Sequence, residues 1–456
     1  MWREHGTAIT LPAPSGNFRV GRATFAWTDD KPVDQSSEVP TTKREVLVWM
    51  WYPATAPNAG ATAEYLPSAW RTALAAYQGR FMKSFLKRDP LYVQTHSFAN
   101  APVSPEQLHY PVVLLRAGGS ALTADFTTLA EDLASHGYFV VGFDAPYRTF
   151  VVVLPDGHVI PRLPQNNVEN ANGNLADPLI GKLLGMWTSD TKFVVDRLTM
   201  LNEDTTSQFR GRMDLARLGM VGHSFGGATA LQFCHDDSRC RAAVGLDGIP
   251  FGSVVREGLN NPCMFILSDH SREMSDPSTQ QVLGEIESIY RRLPEERLYV
   301  VIHDANHFSF SDQILLNSQI LIHLLQRTRR FGGLEGRRGL SISSEYVHTF
   351  FDVALKGAPA ASLTSPATKY PEIQVSPIQN EPAPRRHQGW AGPLRHLNDF
   401  NHRQELRGCL MRNMIAAYTL SSIRDILYFV ATSVEGECSL TNEVTLEPLR
   451  ICRQIP

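Results

Sequence analysis

The most constraining feature of this 456-residue chain is the run at 218–228, where an apolar stretch leads through Gly-x-Ser-x-Gly into small, helix-forming residues. A serine that attacks a carbonyl must project from a very tight turn between a strand and a helix. Side chains at Gly222 and Gly226 would collide with both elements. The free N–H groups at the start of the following helix can stabilise a developing negative charge. The run therefore predicts that Ser224 is a nucleophile on a strand–turn–helix.

Strand and helix signals alternate from about residue 18 to 310, which is typical of a mostly parallel sheet with helices on both faces. A near-continuous apolar run at 112–115 indicates a central buried strand, and the strand predicted at 46–52 ends at Pro53. Further strands are expected at 138–143, 242–246, 263–267 and 298–302, with helices at 126–136, 187–201 and 281–293.

The predicted catalytic fold occupies residues 1–375 and carries two additions. A helical insertion is expected at about 64–95, either packed on the core or lying near the site mouth in transient contact with lipid surfaces. A loop over the site is expected at about 146–185, because 155–177 is rich in Asn, Gly and Pro. The apolar positions of the insertion are Trp70, Leu74, Tyr77, Phe81 and Phe85.

Residues 376–456 differ in composition from the rest of the chain, being rich in Pro, Arg and His. This C-terminal extension is expected either to be flexible or to form a short helical piece that docks elsewhere.

Charge and composition exclude several kinds of partner. The formal net charge of -3 provides no basic field for nucleic acid, and no apolar segment is long enough to span a bilayer. The six cysteines lack the spacing of a zinc site, and no metal or cofactor is predicted. Cys234 and Cys240 are expected either to form a disulfide, if the protein is exported, or to remain buried thiols. The N-terminus shows no secretory signal, which favours a cytoplasmic location while leaving the compartment open.

A serine nucleophile needs a base within hydrogen-bond reach and an acid that fixes the base in the correct tautomer. The base is expected after a late strand, where His303 and His307 flank the turn that follows 298–302. His303 ends the strand, whereas His307 lies on a loop from which an imidazole can reach across the top of the sheet. His307 is therefore the predicted base.

Two aspartates are candidates for the acid. Asp247 follows the strand at 242–246, and Asp269 follows the strand at 263–267. Periodicity does not choose between them, because an aspartate after a strand is also a common helix N-cap.

The oxyanion requires two backbone N–H donors. One is expected at Phe225, directly after the serine, and the other in the turn at 117–120 that follows the strand at 112–115. Glycines in that turn allow the backbone to approach a substrate.

Seven short stretches, in chain order, match one known family. They are Leu-Pro-Ala-Pro-Ser-Gly at 11–16, Val-Trp-Met-Trp-Tyr-Pro at 48–53, Asp-Leu-Ala-Ser-His-Gly at 132–137, Gly-His-Ser-Phe-Gly-Gly-Ala at 222–228, Gly-Leu-Asp-Gly at 245–248, His-Phe at 307–308 and Tyr-Val-His-Thr-Phe-Phe at 346–351. In these stretches the chain resembles the plasma-type, or isoform II, platelet-activating factor acetylhydrolases. This is a calcium-independent group of phospholipases A2, and the microbial members are the most similar. The resemblance covers about 11–374.

The resemblance implies an α/β-hydrolase that cleaves short or oxidised acyl groups from the middle carbon of glycerophospholipids without a metal. In that family the acid follows the strand after the nucleophile helix, which selects Asp247 and leaves Asp269 as the runner-up. Ser224 and His307 match the nucleophile and the base of a Ser-His-Asp triad.

The resemblance also assigns the oxyanion donors, since Phe225 and Gly119 match the family positions. One departure is that Ala117-Gly118 stands where many relatives have His-Gly. Two other interpretations therefore stay open besides the phospholipid esterase. One is a broad-specificity short-chain carboxylesterase or polyester hydrolase, and the other is an inactive hydrolase fold used for binding. The expected partner is a small-molecule or lipid ester.

Overall fold

The computed structural model describes residues 2–32, 43–55, 62–77, 87–170, 178–271, 277–293, 297–327, 332–364 and 368–375. The extension predicted at 376–456 lies outside these ranges, as do Phe81 and Phe85 of the predicted insertion and residues 171–177 of the predicted covering loop.

Within the described residues, ten strands form one mixed sheet and four more form two small sheets. In the large sheet the order is β14-β13-β12-β11-β10-β6-β7-β3-β2-β5, and β6, β7 and β10 to β13 are parallel. The strands are β1 Ile9–Thr10, β2 Arg19–Pro32, β3 Lys43–Ala54, β4 Val93–Gln94, β5 Ser97–Ala99, β6 Tyr110–Arg116, β7 Phe139–Asp144, β8 Val151–Val153, β9 Val159–Pro161, β10 Met213–His223, β11 Cys240–Leu246, β12 Cys263–Leu267, β13 Arg297–Ile302 and β14 Ile373–Val375.

Helices cover both faces of this sheet, which confirms the predicted fold class. Alternate residues of β3 point to opposite faces, so that Trp49 and Val48 belong to separate hydrophobic cores. The helices are α1 Trp2–His5, α2 Ser68–Tyr77, α3 Thr127–Ser135, α4 Pro178–Glu203, α5 Phe225–Asp236, α6 Val254–Glu257, α7 Pro277–Arg291, α8 Gln313–Leu316, α9 Gln319–Arg327 and α10 Gly336–Lys356.

The strand predicted to stop at Pro53 continues to Ala54. Pro53 pairs with Val20 of β2, whereas the pairing of β3 with β7 extends only to Trp51. A proline without a backbone N–H is tolerated in a strand where only one neighbour pairs with it. The predicted end was therefore wrong because Pro53 lies beyond the doubly paired part of β3.

The predicted covering loop contains regular structure that its composition did not indicate. Val151–Val153 and Val159–Pro161 form an antiparallel hairpin, and Val168–Asn170 forms a short 3-10 helix. The hairpin turn uses Gly157 at φ 90°, which favours glycine. α4 begins at Pro178, nine residues before the predicted start of that helix.

The described part of the insertion packs on the core. Trp70 and Leu74 of α2 are buried, and the ring of Trp70 meets that of Trp49 edge-on at 5.6 Å. Tyr77, at the end of the helix, is about half exposed. The packing favours the core interpretation for this helix.

Cys234 and Cys240 form a disulfide with a Cα–Cα distance of 4.9 Å, and Cys263 is a buried free thiol. The structure thus selects the first of the two alternatives for this pair of cysteines. Among the described helices, none has the length and apolar character needed to cross a membrane.

The turn between β10 and α5 is very tight. A Cβ atom at Gly222 would lie 2.0 Å from the carbonyl oxygen of Gly226, and one at Gly226 would lie 2.2 Å from the carbonyl oxygen of Arg116. Both obstacles are backbone atoms of neighbouring elements, so neither can move aside. Glycine is required at both positions for the reason that the motif predicts.

Replacing Gly222 with alanine is expected to lower the free energy of unfolding by at least about 3 kcal/mol, or to prevent folding, because the methyl group has no space. Chemical denaturation followed by circular dichroism measures this change. The matched control is Gly185→Ala in α4, where a Cβ would meet nothing within 4 Å. This control is expected to keep or raise stability by about 0.5–1 kcal/mol. Equal stability of Gly222→Ala and the wild type would contradict the steric argument.

Candidate active site

Ser224 occupies the turn residue between β10 and α5 in a strained backbone conformation. Its φ of 55° and ψ of -124° lie in a region that non-glycine residues rarely adopt. The turn is held on both sides, because the Ser224 N–H donates to Leu246 at 2.9 Å and its carbonyl accepts from Gly227 at 2.9 Å. Such strain, fixed by surrounding hydrogen bonds, is expected of a nucleophile elbow.

The glycine-rich turn after β6 passes beside this serine. A Cβ atom at Gly118 would lie 3.0 Å from the Cβ of Ser224. The next residue, Gly119, is bounded by Val168, whose Cγ1 would be 2.4 Å from an added Cβ. Arg162 fixes the turn by donating to the Gly119 carbonyl at 2.8 Å and to the Ser120 hydroxyl at 3.1 Å. Gly118 therefore lies beside Ser224, and the role of Gly119 and Phe225 as oxyanion donors stays a prediction.

Asp247 and His307 are joined by the shortest contact of the site. His307 Nδ1 lies 2.6 Å from Asp247 Oδ2, and both side chains are buried. Asp247 directly follows β11 at φ 46°, and its N–H donates to Ile266 at 2.8 Å. His307 opens a 3-10 helix that is capped by the side chain of Asn306. Each side chain is thus positioned by a strand end and a tight turn.

The carboxylate of Asp247 is ionised despite its burial. Burial alone would raise its pKa, but hydrogen bonds and charges from His270 and His307 outweigh that effect and hold the pKa well below its ordinary value. Ser268 adds two donors, its N–H at 2.8 Å and its hydroxyl at 2.9 Å from Oδ1. The site therefore contains a fully buried negative charge whose closest partner is an imidazole.

The other candidate acid, Asp269, has different partners. Its Oδ2 accepts from the N–H of Asp304 at 2.9 Å, and its Oδ1 accepts from the N–H of Ser271 at 3.0 Å. The histidine near it is His303, whose Nδ1 lies 3.8 Å from Oδ2. The structure thus pairs Asp247 with His307 and Asp269 with His303.

Sequence reasoning missed a third histidine, His223, which lies inside the Gly-x-Ser-x-Gly motif. Its Nε2 is 3.0 Å from the carbonyl oxygen of His307, and the two ring centroids are 4.4 Å apart. Burial and the neighbouring His307 hold the pKa of His223 well below its ordinary value, so the ring is neutral. A neutral ring whose Nε2–H donates to this carbonyl would hold His307 beside the serine. The only sequence signal was the position of His223 directly before the nucleophile.

An apolar wall adjoins the serine on the side of α4. The ring of Phe225 packs edge-on against Trp187 at 5.0 Å and lies 6.2 Å from Phe251. The wall consists of Val168, Ile180, Leu183, Leu184, Trp187, Phe225, Ala228 and Phe251, with Leu179, Met186 and Ile249 partly buried at its edge. Several of these residues come from the predicted covering segment, so this segment contributes to the surroundings of the nucleophile.

Asp132, His136 and His348 form a separate polar cluster, with candidate ligand atoms within 4.8 Å of one another. The rings of His136 and His348 stack at 3.7 Å with an angle of 20° between their planes, so their in-plane lone pairs do not converge on one point. His348 Nδ1 instead contacts Asp132 at 2.8 Å, and the Ser15 hydroxyl donates to the same carboxylate at 2.7 Å. These contacts tie α3, α10 and the N-terminal segment together.

The chain is similar in sequence to known acetylhydrolases and esterases. The family described as platelet-activating factor acetylhydrolase, isoform II, matches residues 190–356. A protein of Arthroderma benhamiae named "Probable 1-alkyl-2-acetylglycerophosphocholine esterase" is 25% identical over 390 residues, which cover 80% of this chain and 94% of that protein. The platelet-activating factor acetylhydrolase of Cavia porcellus is 24% identical over 242 residues, which cover 50% of this chain and 53% of the mammalian protein.

A solved structure resembles most of the chain. The ferulic acid esterase of Streptomyces cinnamoneus is 26% identical, with a TM-score of 0.64, and the match covers 80% of this chain and 98% of that one. Together, these matches confirm the family resemblance and the α/β-hydrolase fold that the sequence motifs predicted. The chain is therefore similar to the platelet-activating factor acetylhydrolase isoform II family, and it has the α/β-hydrolase fold.

Proposed function

We propose that this protein is a serine esterase that hydrolyses short or oxidised acyl esters of glycerophospholipids. The observation that carries the proposal is the 2.6 Å contact between the buried carboxylate of Asp247 and His307, whose ring lies 4.4 Å from that of His223, the residue before Ser224. The names of the relatives support an ester hydrolase, and two of them support an alkylacetylglycerophosphocholine or platelet-activating factor substrate.

The reaction proceeds through an acyl-enzyme. His307 takes the proton from the Ser224 hydroxyl through Nε2, and the resulting alkoxide attacks the ester carbonyl. The N–H groups of Phe225 and Gly119 hold the oxyanion, each donor being worth roughly 2.7–4 kcal/mol of transition-state stabilisation. The imidazolium then protonates the leaving alcohol. Water, deprotonated by His307, hydrolyses the acyl-serine and releases the acid.

Asp247 acts on the reaction through His307. An ionised carboxylate accepts a hydrogen bond from Nδ1–H, which keeps the proton of the neutral ring on Nδ1 and leaves Nε2 unprotonated and able to act as the base. The same negative charge stabilises the imidazolium that forms in each half-reaction. The low pKa of Asp247 keeps this charge in place at neutral and mildly acidic pH.

The apolar wall is where the acyl group is expected to bind. Phe225 belongs to both the wall and the proposed oxyanion hole, and Val168 bounds Gly119 on the other side. A carbonyl held between these two donors places its acyl chain against apolar side chains. Since Val168 closes the space beside Gly119, this arrangement favours short acyl groups.

A broad-specificity carboxylesterase is the second candidate. It is supported by the match to the ferulic acid esterase, which covers 98% of that chain, and by Ala117-Gly118, which stands where the family resemblance implies His-Gly. In this case the same triad would act on simple soluble esters or polyesters, with no preference for a phospholipid.

Ser224→Ala is expected to lower turnover of p-nitrophenyl acetate by at least about 10³-fold and to abolish labelling by a fluorophosphonate probe, because both reactions need the activated hydroxyl. Steady-state assays and gel detection of the probe measure the two effects. Ser341→Ala, on the exposed face of α10, is the control and should behave as the wild type. Turnover by Ser224→Ala equal to that of the wild type would overturn the esterase proposal and favour an inactive binding fold.

Asp247→Asn is expected to reduce kcat by about 10³–10⁴-fold, because the amide no longer stabilises the imidazolium or fixes its tautomer. Asp269→Asn is the matched comparison on the next strand and should change kcat by less than about fivefold, since Asp269 contacts His303 and backbone N–H groups. Steady-state kinetics with a soluble ester measure both variants. Loss of activity in Asp269→Asn alone would reverse the assignment of the acid.

A substrate series separates the two candidate functions. If the protein is a glycerophospholipid esterase, kcat/KM for a 1-alkyl-2-acetylglycerophosphocholine should exceed that for methyl ferulate. It should fall at least about tenfold when an unoxidised long acyl chain replaces the acetyl group. These rates are measured by release of the free acid. Higher kcat/KM for the soluble ester than for the acetyl phospholipid would support the carboxylesterase instead.

A further inference from the structure

The carboxylate of Asp247 has contacts on both of its oxygens. Oδ2 faces His307, while Oδ1 lies 2.8 Å from the N–H of Ser268, 2.9 Å from its hydroxyl and 3.5 Å from Nε2 of His270. Nε2 of His270 is also 3.2 Å from the Ser268 hydroxyl. The His270 side chain is 15% exposed, whereas that of Asp247 is fully buried. A second histidine therefore connects the buried acid to the protein surface.

The charge of Asp247 determines the direction of each hydrogen bond from Asp247 through Ser268 to His270. An ionised carboxylate only accepts, so the N–H and the O–H of Ser268 both donate to it. The Ser268 oxygen then accepts from Nε2–H of His270. This proton is present on Nε2 in the corresponding neutral tautomer and in the imidazolium, so His270 can titrate at Nδ1 without breaking the connection.

A charge on His270 would act on the base through the shared carboxylate. A positive ring 3.5 Å from Oδ1 offsets part of the negative charge that stabilises protonated His307. Protonation of His270 therefore makes protonation of His307 less favourable. The base then stays available to lower pH than it would beside a neutral residue.

The other ionisable groups around the carboxylate are placed on neighbouring strands and loops. His307 approaches from the 3-10 helix after β13, and Tyr299 lies on β13 itself. Burial, together with Glu287 and Asp247, raises the pKa of Tyr299 to about 12, so its hydroxyl stays neutral over the working range. Asp269, the residue between Ser268 and His270, bonds to backbone N–H groups of other residues.

We propose that His270 is a positioning residue which, through Ser268, holds Asp247 and sets the pH range over which His307 acts as the base. This role rests on the proposed esterase function, since it concerns the same triad. It adds an ionisable residue to the site, and none of the sequence stretches that match the family contains it.

The test compares His270→Gln and His270→Leu in the full chain, with kcat and KM for a soluble ester measured from pH 5 to 9. Glutamine retains a donor near the position of Nε2 but does not titrate. We expect kcat of this variant at pH 8 within about threefold of the wild type. The acid limb of kcat/KM should move to higher pH by about 0.5–1 unit, because a positive neighbour of His307 is lost. Leucine removes the donor as well, and kcat at pH 8 should fall about five- to tenfold with little change in KM.

His303→Gln is the matched control, because it removes a histidine from a nearby loop that faces Asp269, and its pH profile should superimpose on that of the wild type. Profiles of both His270 variants that coincide with the wild type, in protein that still labels with a fluorophosphonate, would overturn the role of His270 and leave the esterase proposal standing. A wild-type protein that does not label at Ser224 would overturn both. If His270→Leu does not fold, the acid limb of His270→Gln decides alone.

Discussion

The hydrogen bond between Asp247 and His307 is the interaction on which the rest of the site depends. Burying an ionised carboxylate is costly unless donors replace the lost water. Here the donors come from the loops after β12 and β13, namely Ser268 and His307. The ends of three adjacent parallel strands are therefore fixed around one negative charge, and a change in any of these loops would remove part of the compensation for that charge.

Strand register places this charge beside the nucleophile. His223 pairs with Leu246 across β10 and β11, and Leu246 pairs with Ile266 across β11 and β12. The residues that follow the first two strands, Ser224 and Asp247, both have positive φ, and each donates its N–H to the neighbouring strand at 2.9 and 2.8 Å respectively. Backbone strain at both positions is thus held by the sheet, which leaves the side chains free for chemistry.

How much the sequence predicted depends on the range of the interactions involved. The elbow is local, because its glycines are required by atoms within a few residues and at the adjacent turn, so the strand–turn–helix around Ser224 was predicted correctly. Whether His307 pairs with Asp247 or with Asp269 depends on how loops from different strands face one another. Residue periodicity carries no information about this. The contacts of His223 and His270 were missed for the same reason.

Substrate choice depends on a different part of the chain from the chemistry. The proposed catalytic residues Ser224 and Asp247 lie at the ends of central strands, where parallel pairing leaves little freedom. The apolar wall comes largely from α4 and from Val168, within the segment whose hairpin and short helix the sequence did not reveal. Because that segment is rich in turn-forming residues, its sequence does not indicate which of its side chains lie near Ser224. The proposed reaction is therefore indicated by a few motifs, whereas the proposed acyl site depends on the side chains that pack around Phe225.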